Sequence, residues 1–157
     1  MWRTDNILLL SATDLEHDCK ELFGIPIFII GIGKVNAAVN TTRLINKYDP
    51  VINDIDTLGF HETEPIILKD DSDIKCLTTD HMYDSSHDDY VESYMEKIDE
   101  CDIIDMELFS IAESCRIANK FLYSYKWVSD DGSNDQWLEN AKAGFNNFKK
   151  IFKSKHL

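Results

Sequence analysis

Short, unbroken apolar runs alternate along the chain with segments whose apolar residues recur every three or four positions. This alternation predicts an α/β fold. Residues 6–10 and 26–30 are the densest runs, and each suits a strand covered on both faces by helices. Residues 13–23 read as a helix, capped by Thr13 or Asp14 and stopped by Gly24. After the turn Gly31-Ile-Gly33, residues 34–47 read as a helix with Val35, Ala38, Val39, Thr42 and Ile45 on one stripe. Pro50 closes that helix, and residues 51–55 form a third short strand. Further strands are predicted at 74–78, 101–104 and 121–128, the last rich in aromatic and β-branched residues. Residues 85–98 read as an acidic helix, and residues 107–118 as a helix with Leu108, Ile111, Ala112 and Cys115 facing inward. The final helix carries Leu138, Ala141, Phe145, Phe148 and Phe152 on one side, with Ser133 or Asp135 as its cap. Lys149, Lys150 and Lys153 fall near its C-terminus, where the helix dipole favours cations. Neither an internal repeat nor a low-complexity linker interrupts the pattern, so residues 1–157 are expected to form one domain.

Composition narrows the function classes. A chain of 157 residues buries roughly two-thirds of its unfolded surface, enough for a core without disulfide or metal staples. The formal net charge is −13, and residues 70–100 alone carry eleven acidic residues against Lys75 and Lys97. That balance argues against nucleic acid and against an anionic membrane surface as partners. The apolar runs fall short of the ~20 residues of a membrane span, and the N-terminal residues lack the pattern of a signal peptide. A cytoplasmic protein is expected. Cys19, Cys76, Cys101 and Cys115 form no CxxC pair and read as reduced thiols. The five histidines show no zinc-ligand spacing.

Candidate chemistry lies where strands end, because open α/β sheets bind ligands beyond the C-terminal ends of their strands. Three such places carry carboxylates: Ser11-Ala-Thr-Asp14-Leu-Glu16, Asp105-Met106-Glu107 and Ser129-Asp130-Asp131. Taken singly, each also suits a helix cap or a dipole partner. The Gly31-Ile-Gly33-Lys34 turn opens a helix and can point backbone N–H groups at an anion. It is neither a dinucleotide fingerprint, since the third glycine falls at Asn36, nor a P-loop.

In their order along the chain these pieces resemble the nucleoside phosphorylase/nucleosidase superfamily. They look most like a shortened member of its methylthioadenosine/S-adenosylhomocysteine nucleosidase branch. The resemblance rests on residues 7–16, Gly31-Ile-Gly-Lys-Val-Asn-Ala-Ala38, Val51-Ile-Asn53, Asp105-Met-Glu-Leu-Phe-Ser-Ile-Ala-Glu-Ser-Cys115 and Val128-Ser-Asp130. It implies a three-layer αβα fold with a mostly parallel sheet. It implies that Glu16 activates the attacking water, that Glu107 holds the ribose hydroxyls and that Met106 packs on the sugar. Asp130 would protonate or hydrogen-bond the purine at N7, supported by Ser129. Met82 and Tyr83 would hold the base, and Lys126 stands where the family has an arginine. A homodimer is the assembly the resemblance implies.

The chemistry accords with these roles. Cleaving an N-glycosidic bond builds positive charge on the sugar and negative charge on the departing purine. One carboxylic acid then donates to the base while a carboxylate takes a proton from water, as in inverting glycosidases. A carboxylate also accepts from two adjacent hydroxyls, which suits a ribose diol. Asp130 needs a raised pKa to act as an acid, and Trp127 is a candidate wall for its pocket. No metal or organic cofactor is required. The expected activity is hydrolytic release of adenine from methylthioadenosine, S-adenosylhomocysteine or 5′-deoxyadenosine. Phosphorolysis is the less favoured reading, because Arg3, Arg43 and Arg116 are the only arginines and the latter two fall within predicted helices. A nucleoside-binding protein without turnover, and an acidic flavodoxin-like interaction module, complete the alternatives.

Overall fold

The computed structural model describes residues 7–48, 51–58, 66–68, 74–79, 101–130 and 136–157, with the backbone alone at 51–58 and 66–68. Among the described residues there are eight strands: β1 (Ile7–Ser11), β2 (Glu21–Leu22), β3 (Ile25–Ile29), β4 (Val51–Leu58), β5 (Ile66–Leu68), β6 (Cys76–Thr78), β7 (Ile103–Asp105) and β8 (Leu122–Val128). The described residues also form three helices: α1 (Lys34–Tyr48), α2 (Leu108–Ile117) and α3 (Trp137–His156). The main sheet has the order β2-β3-β1-β4-β8-β5, and β6 pairs with β7 separately. β3, β1, β4 and β8 run parallel, while β2 and β5 join the edges antiparallel. All four central strands therefore end on the same side of the sheet.

The side-chain alternation of β1 divides the core in two. Ile7 and Leu9 join Leu22, Ile25, Ile27, Tyr125 and Trp127 beneath Phe145, Phe148 and Phe152 of α3. Leu8 and Leu10 point the other way and join Ile30, Ala37, Ile45, Ile111 and Cys115 beneath α1 and α2. Helices thus cover both faces of a parallel-rich sheet, the three-layer αβα arrangement. Aromatic edges and faces fill the α3 side: Tyr125 meets Phe148 at 5.1 Å and 62°, and Phe148 meets Phe152 at 5.4 Å. Trp127 lies against the backbone of α3 at Gly144, where a Cβ would overlap the indole ring.

Several local expectations are corrected. Residues 13–23 are not a helix. Ser11 donates its hydroxyl to the Thr13 carbonyl at 3.0 Å, and Thr13 accepts from the Leu15 amide at 3.2 Å. These short-range bonds offer the backbone an alternative to a helical turn. Beyond them, β2 and β3 form a hairpin whose two turn residues, Phe23 and Gly24, have φ of 53° and 81°. That is the left-handed pair of a type I′ turn, so Gly24 closes a hairpin and does not stop a helix. On α1 the inward stripe is Ala37, Thr41 and Ile45, with Val35 and Val39 exposed. Small residues at the contact let α1 lie close to α2, where Thr42 donates to Ser114 at 3.4 Å. On α2, Ser110 and Ser114 share the buried face with Ile111 and Cys115. Leu138 is exposed on α3, whose N-cap is Gln136 with no side-chain cap bond. The predicted 85–98 helix and the Ser133 and Asp135 caps lie outside the described residues.

Candidate active site

The central parallel strands end on one side of the main sheet. The Ile30 amide donates to the Ser11 carbonyl at 2.9 Å, joining the exit of β3 to that of β1. After β1 the bend at Thr13 turns Asp14 and Leu15 outward and brings Glu16 and His17 inside, at 5% and 7% exposure. His17 Nδ1 donates to the Cys19 carbonyl at 2.7 Å, since that oxygen can only accept. Its ring rests 5.4 Å from that of Phe145. Burial, reinforced by Asp18, pushes the Cys19 thiol up, so it stays protonated at neutral pH. All four cysteines are free thiols.

The second cluster is built around the start of α2. Gly31 and Gly33 adopt φ of 87° and 88°, a conformation that favours glycine. The anion that meets this turn is the protein's own: the Gly33 amide donates to Glu107 Oε1 at 2.8 Å. Glu107 occupies the N-cap position of α2 but makes no side-chain cap bond, and its carboxylate reaches across to α1. Asp105 caps the helix in its place, accepting from the Leu108 amide at 2.8 Å. Asp105 also accepts from the Thr78 hydroxyl at 2.6 Å, and that hydroxyl accepts from the Phe109 amide at 3.0 Å. Finally, Lys126 Nζ donates to Asp105 Oδ2 at 2.8 Å, and both side chains are wholly buried. Lys126, placed at the substrate by its sequence position, is thus held inside the protein between β8 and β7.

The third cluster follows β8. Ser129 is buried and donates to Asp130 Oδ2 at 2.8 Å, while its carbonyl accepts from Asn140 of α3 at 2.6 Å. Asp130 is half-buried. Trp127, the candidate wall beside it, is instead packed into the aromatic cluster against Phe148. Met106 is half-buried beside Glu107, and Met82 and Tyr83 lie outside the described residues. Glu16, Glu107 and Asp130 thus follow β1, β7 and β8 in turn. Hydrogen bonds join β7 to β3 through Glu107–Gly33 and to β8 through Asp105–Lys126. Sequence reasoning named Asp105 only as one of the carboxylates after a strand and not as the cap of α2, and it gave no role to the Thr78 hydroxyl or to Asn140. The one available signal was the Asp-x-Glu spacing ahead of α2, which sets two carboxylates at one helix start.

Solved structures share this fold almost end to end. The chain is similar to 5′-methylthioadenosine/S-adenosylhomocysteine nucleosidase from Neisseria meningitidis, solved with methylthio-immucillin-A. The TM-score is 0.71 at 15% identity, over 96% of this chain and 99% of that one. The chain has the nucleosidase fold. Within that fold, the same enzyme from S. pneumoniae, bound to the transition-state inhibitor MT-ImmA, gives 0.71 at 13% identity over 94% and 98% of the two chains. Futalosine hydrolase of Helicobacter pylori gives 0.70 at 11% identity over 94% and 97%. No protein-family model and no curated protein matches the sequence. No helix among the described residues is long and apolar enough to cross a membrane.

Proposed function

We propose that the protein hydrolyses the N-glycosidic bond of an adenine nucleoside, with methylthioadenosine, S-adenosylhomocysteine or 5′-deoxyadenosine as the leading substrates. Glu16 takes a proton from water as the water oxygen bonds to C1′ of the sugar. Glu107 accepts hydrogen bonds from the ribose hydroxyls, and Met106 packs on the sugar face. Asp130, steadied by Ser129, delivers a proton to N7 as the bond to the base breaks. Adenine and the free sugar are the products. Met82 and Tyr83 hold the base. The protein acts in the cytoplasm as a homodimer.

The observation that carries this reading is the diversion of Glu107. A residue in the helix-cap position leaves capping to Asp105 and turns its carboxylate onto the Gly33 amide. A carboxylate so placed suits a diol better than a helix end. Hydrolysis is favoured over phosphorolysis because phosphate needs converging cations. Lys126 is buried against Asp105, and Arg116 is tied to Glu113 on the surface at 2.7 Å.

The test is free adenine released from methylthioadenosine, S-adenosylhomocysteine and adenosine in phosphate-free buffer. Asp130→Asn and Glu16→Gln should each cost about 10²–10⁴-fold in kcat with the fold intact. Wild-type rates in both variants would overturn the assignment. Strict phosphate dependence would mark a phosphorylase, and thermal stabilisation by a nucleoside without turnover would mark a binding protein.

A further inference from the structure

We infer that Asp105, Lys126 and Thr78 are positioning residues that aim the Glu107 carboxylate, and that sugar recognition depends on them although none need touch the nucleoside. This rests on the role proposed above for Glu107. The argument begins with position. Glu107 stands between Asp105 and Leu108, and Asp105 accepts from the Leu108 amide at 2.8 Å. The next amide, Phe109, donates to the Thr78 hydroxyl at 3.0 Å, which in turn donates to Asp105 at 2.6 Å. The Thr79 amide donates to the Asp105 carbonyl at 2.8 Å. The first turn of α2 is therefore clamped just after Glu107, and the strand feeding it is clamped just before.

Two of the donors that helix N-termini leave unsatisfied are met by this cluster. The Leu108 and Phe109 amides are thereby paired without the Glu107 carboxylate, which accepts from the Gly33 amide instead. Asp105 and Thr78 thus relieve Glu107 of capping and leave it aimed at Gly33. Lys126 fixes the device in the fold. A wholly buried ion pair is a poor source of stability compared with apolar packing of the same volume, but its directional bonds can specify one arrangement. Here that arrangement ties β8, which leads to Asp130, to β7, which leads to Glu107.

The test uses Thr78→Val, which keeps shape and charge, with Thr78→Ser restoring the hydroxyl and Asp105→Asn as a second variant. The first readout is hydrogen exchange of the Gly33 amide by NMR, which needs no activity. Thr78→Val and Asp105→Asn should speed Gly33 exchange at least tenfold and leave the amide of Phe148 unchanged, with Thr78→Ser near wild type. The second readout is the ratio of kcat/KM for methylthioadenosine over its 2′-deoxy analogue. That ratio should fall at least tenfold in Thr78→Val and recover in Thr78→Ser. A merely structural role would lower both substrates equally and leave the ratio alone. An unchanged Gly33 rate, or an unchanged ratio with adenine release retained, overturns the inference. Accelerated Gly33 exchange in a protein that releases no adenine from any nucleoside supports the aiming device and overturns the proposed hydrolysis instead.

Discussion

β8 presents opposite chemistry on its two faces. Tyr125 and Trp127 sink into the aromatic layer beneath α3, while Lys126, between them in sequence, carries its ammonium to Asp105 on the other side. The aromatic side is apolar and tightly filled, and stability there follows contact area. The Lys126 side places charges where water is absent, and its bonds are directional. One strand thus separates the part of the protein that holds it together from the part that aims a carboxylate.

Truncations on the two sides test that separation. Lys126→Met leaves Asp105 buried and unpaired, and about 3–5 kcal/mol should be lost. Phe148→Ala should lose a comparable ~3–5 kcal/mol by removing a ring with 0% exposure, lowering Tm by roughly 6–20 °C. The two variants should part at Gly33: its amide exchange rises in Lys126→Met beyond what the stability change explains, and Phe148→Ala leaves it in step with global stability. Equal behaviour at Gly33 would break the comparison. Gly144→Ala should cost about 1–3 kcal/mol, since the new methyl meets the Trp127 ring and outweighs alanine's better helix propensity.

Titration gives a smaller effect from the aromatic side. Burial, and secondarily Tyr123, pushes the Tyr125 phenol up to about 12. Between the unfolded value near 10 and that value, the unfolded chain releases a proton that the folded chain keeps. Stability should therefore fall by roughly 1–3 kcal/mol as pH rises from about 10 to 12, and Tyr125→Phe should flatten that fall in chemical denaturation. Smallest of all, Arg116→Ala removes an exposed pair with Glu113 and should leave Tm unchanged.

The sequence pattern and the structure agree best where burial is simple. The continuous run at β1 follows directly from burial on both faces, and the Phe145, Phe148 and Phe152 spacing of α3 from burial on one. β3, expected to be covered on both faces, buries Ile25 and Ile27 but leaves Pro26 and Ile29 exposed, as befits its place beside the short edge strand β2. Where polar groups decide the backbone, hydrophobic periodicity misleads. Thr13 and Ser11 bend residues that the pattern assigns to a helix, and Phe23 in a left-handed turn gives none of the Asn-Gly signal by which such hairpins are read. On α1 the valines draw the eye to the wrong stripe, because small Ala37 and Thr41 make the close contact. At the candidate site, Glu16, Glu107 and Asp130 were legible as carboxylates after strands. That Lys126 would turn inward to Asp105 was not, since the pairing spans 21 residues and depends on which way β8 faces.

The position of β8 has a consequence for how the chain is made. Among the described residues it is the last strand in sequence, yet it lies between β4 and β5. During synthesis the N-terminal strands emerge first, so β4 waits with one open edge until residues 122–128 leave the ribosome. An open strand edge is a template for pairing with other chains. The interval between those two events, which spans the acidic stretch at 70–100, is when the nascent protein is most exposed to mispairing. That stretch carries eleven acidic residues, and like charge of this kind opposes close approach between copies of a chain.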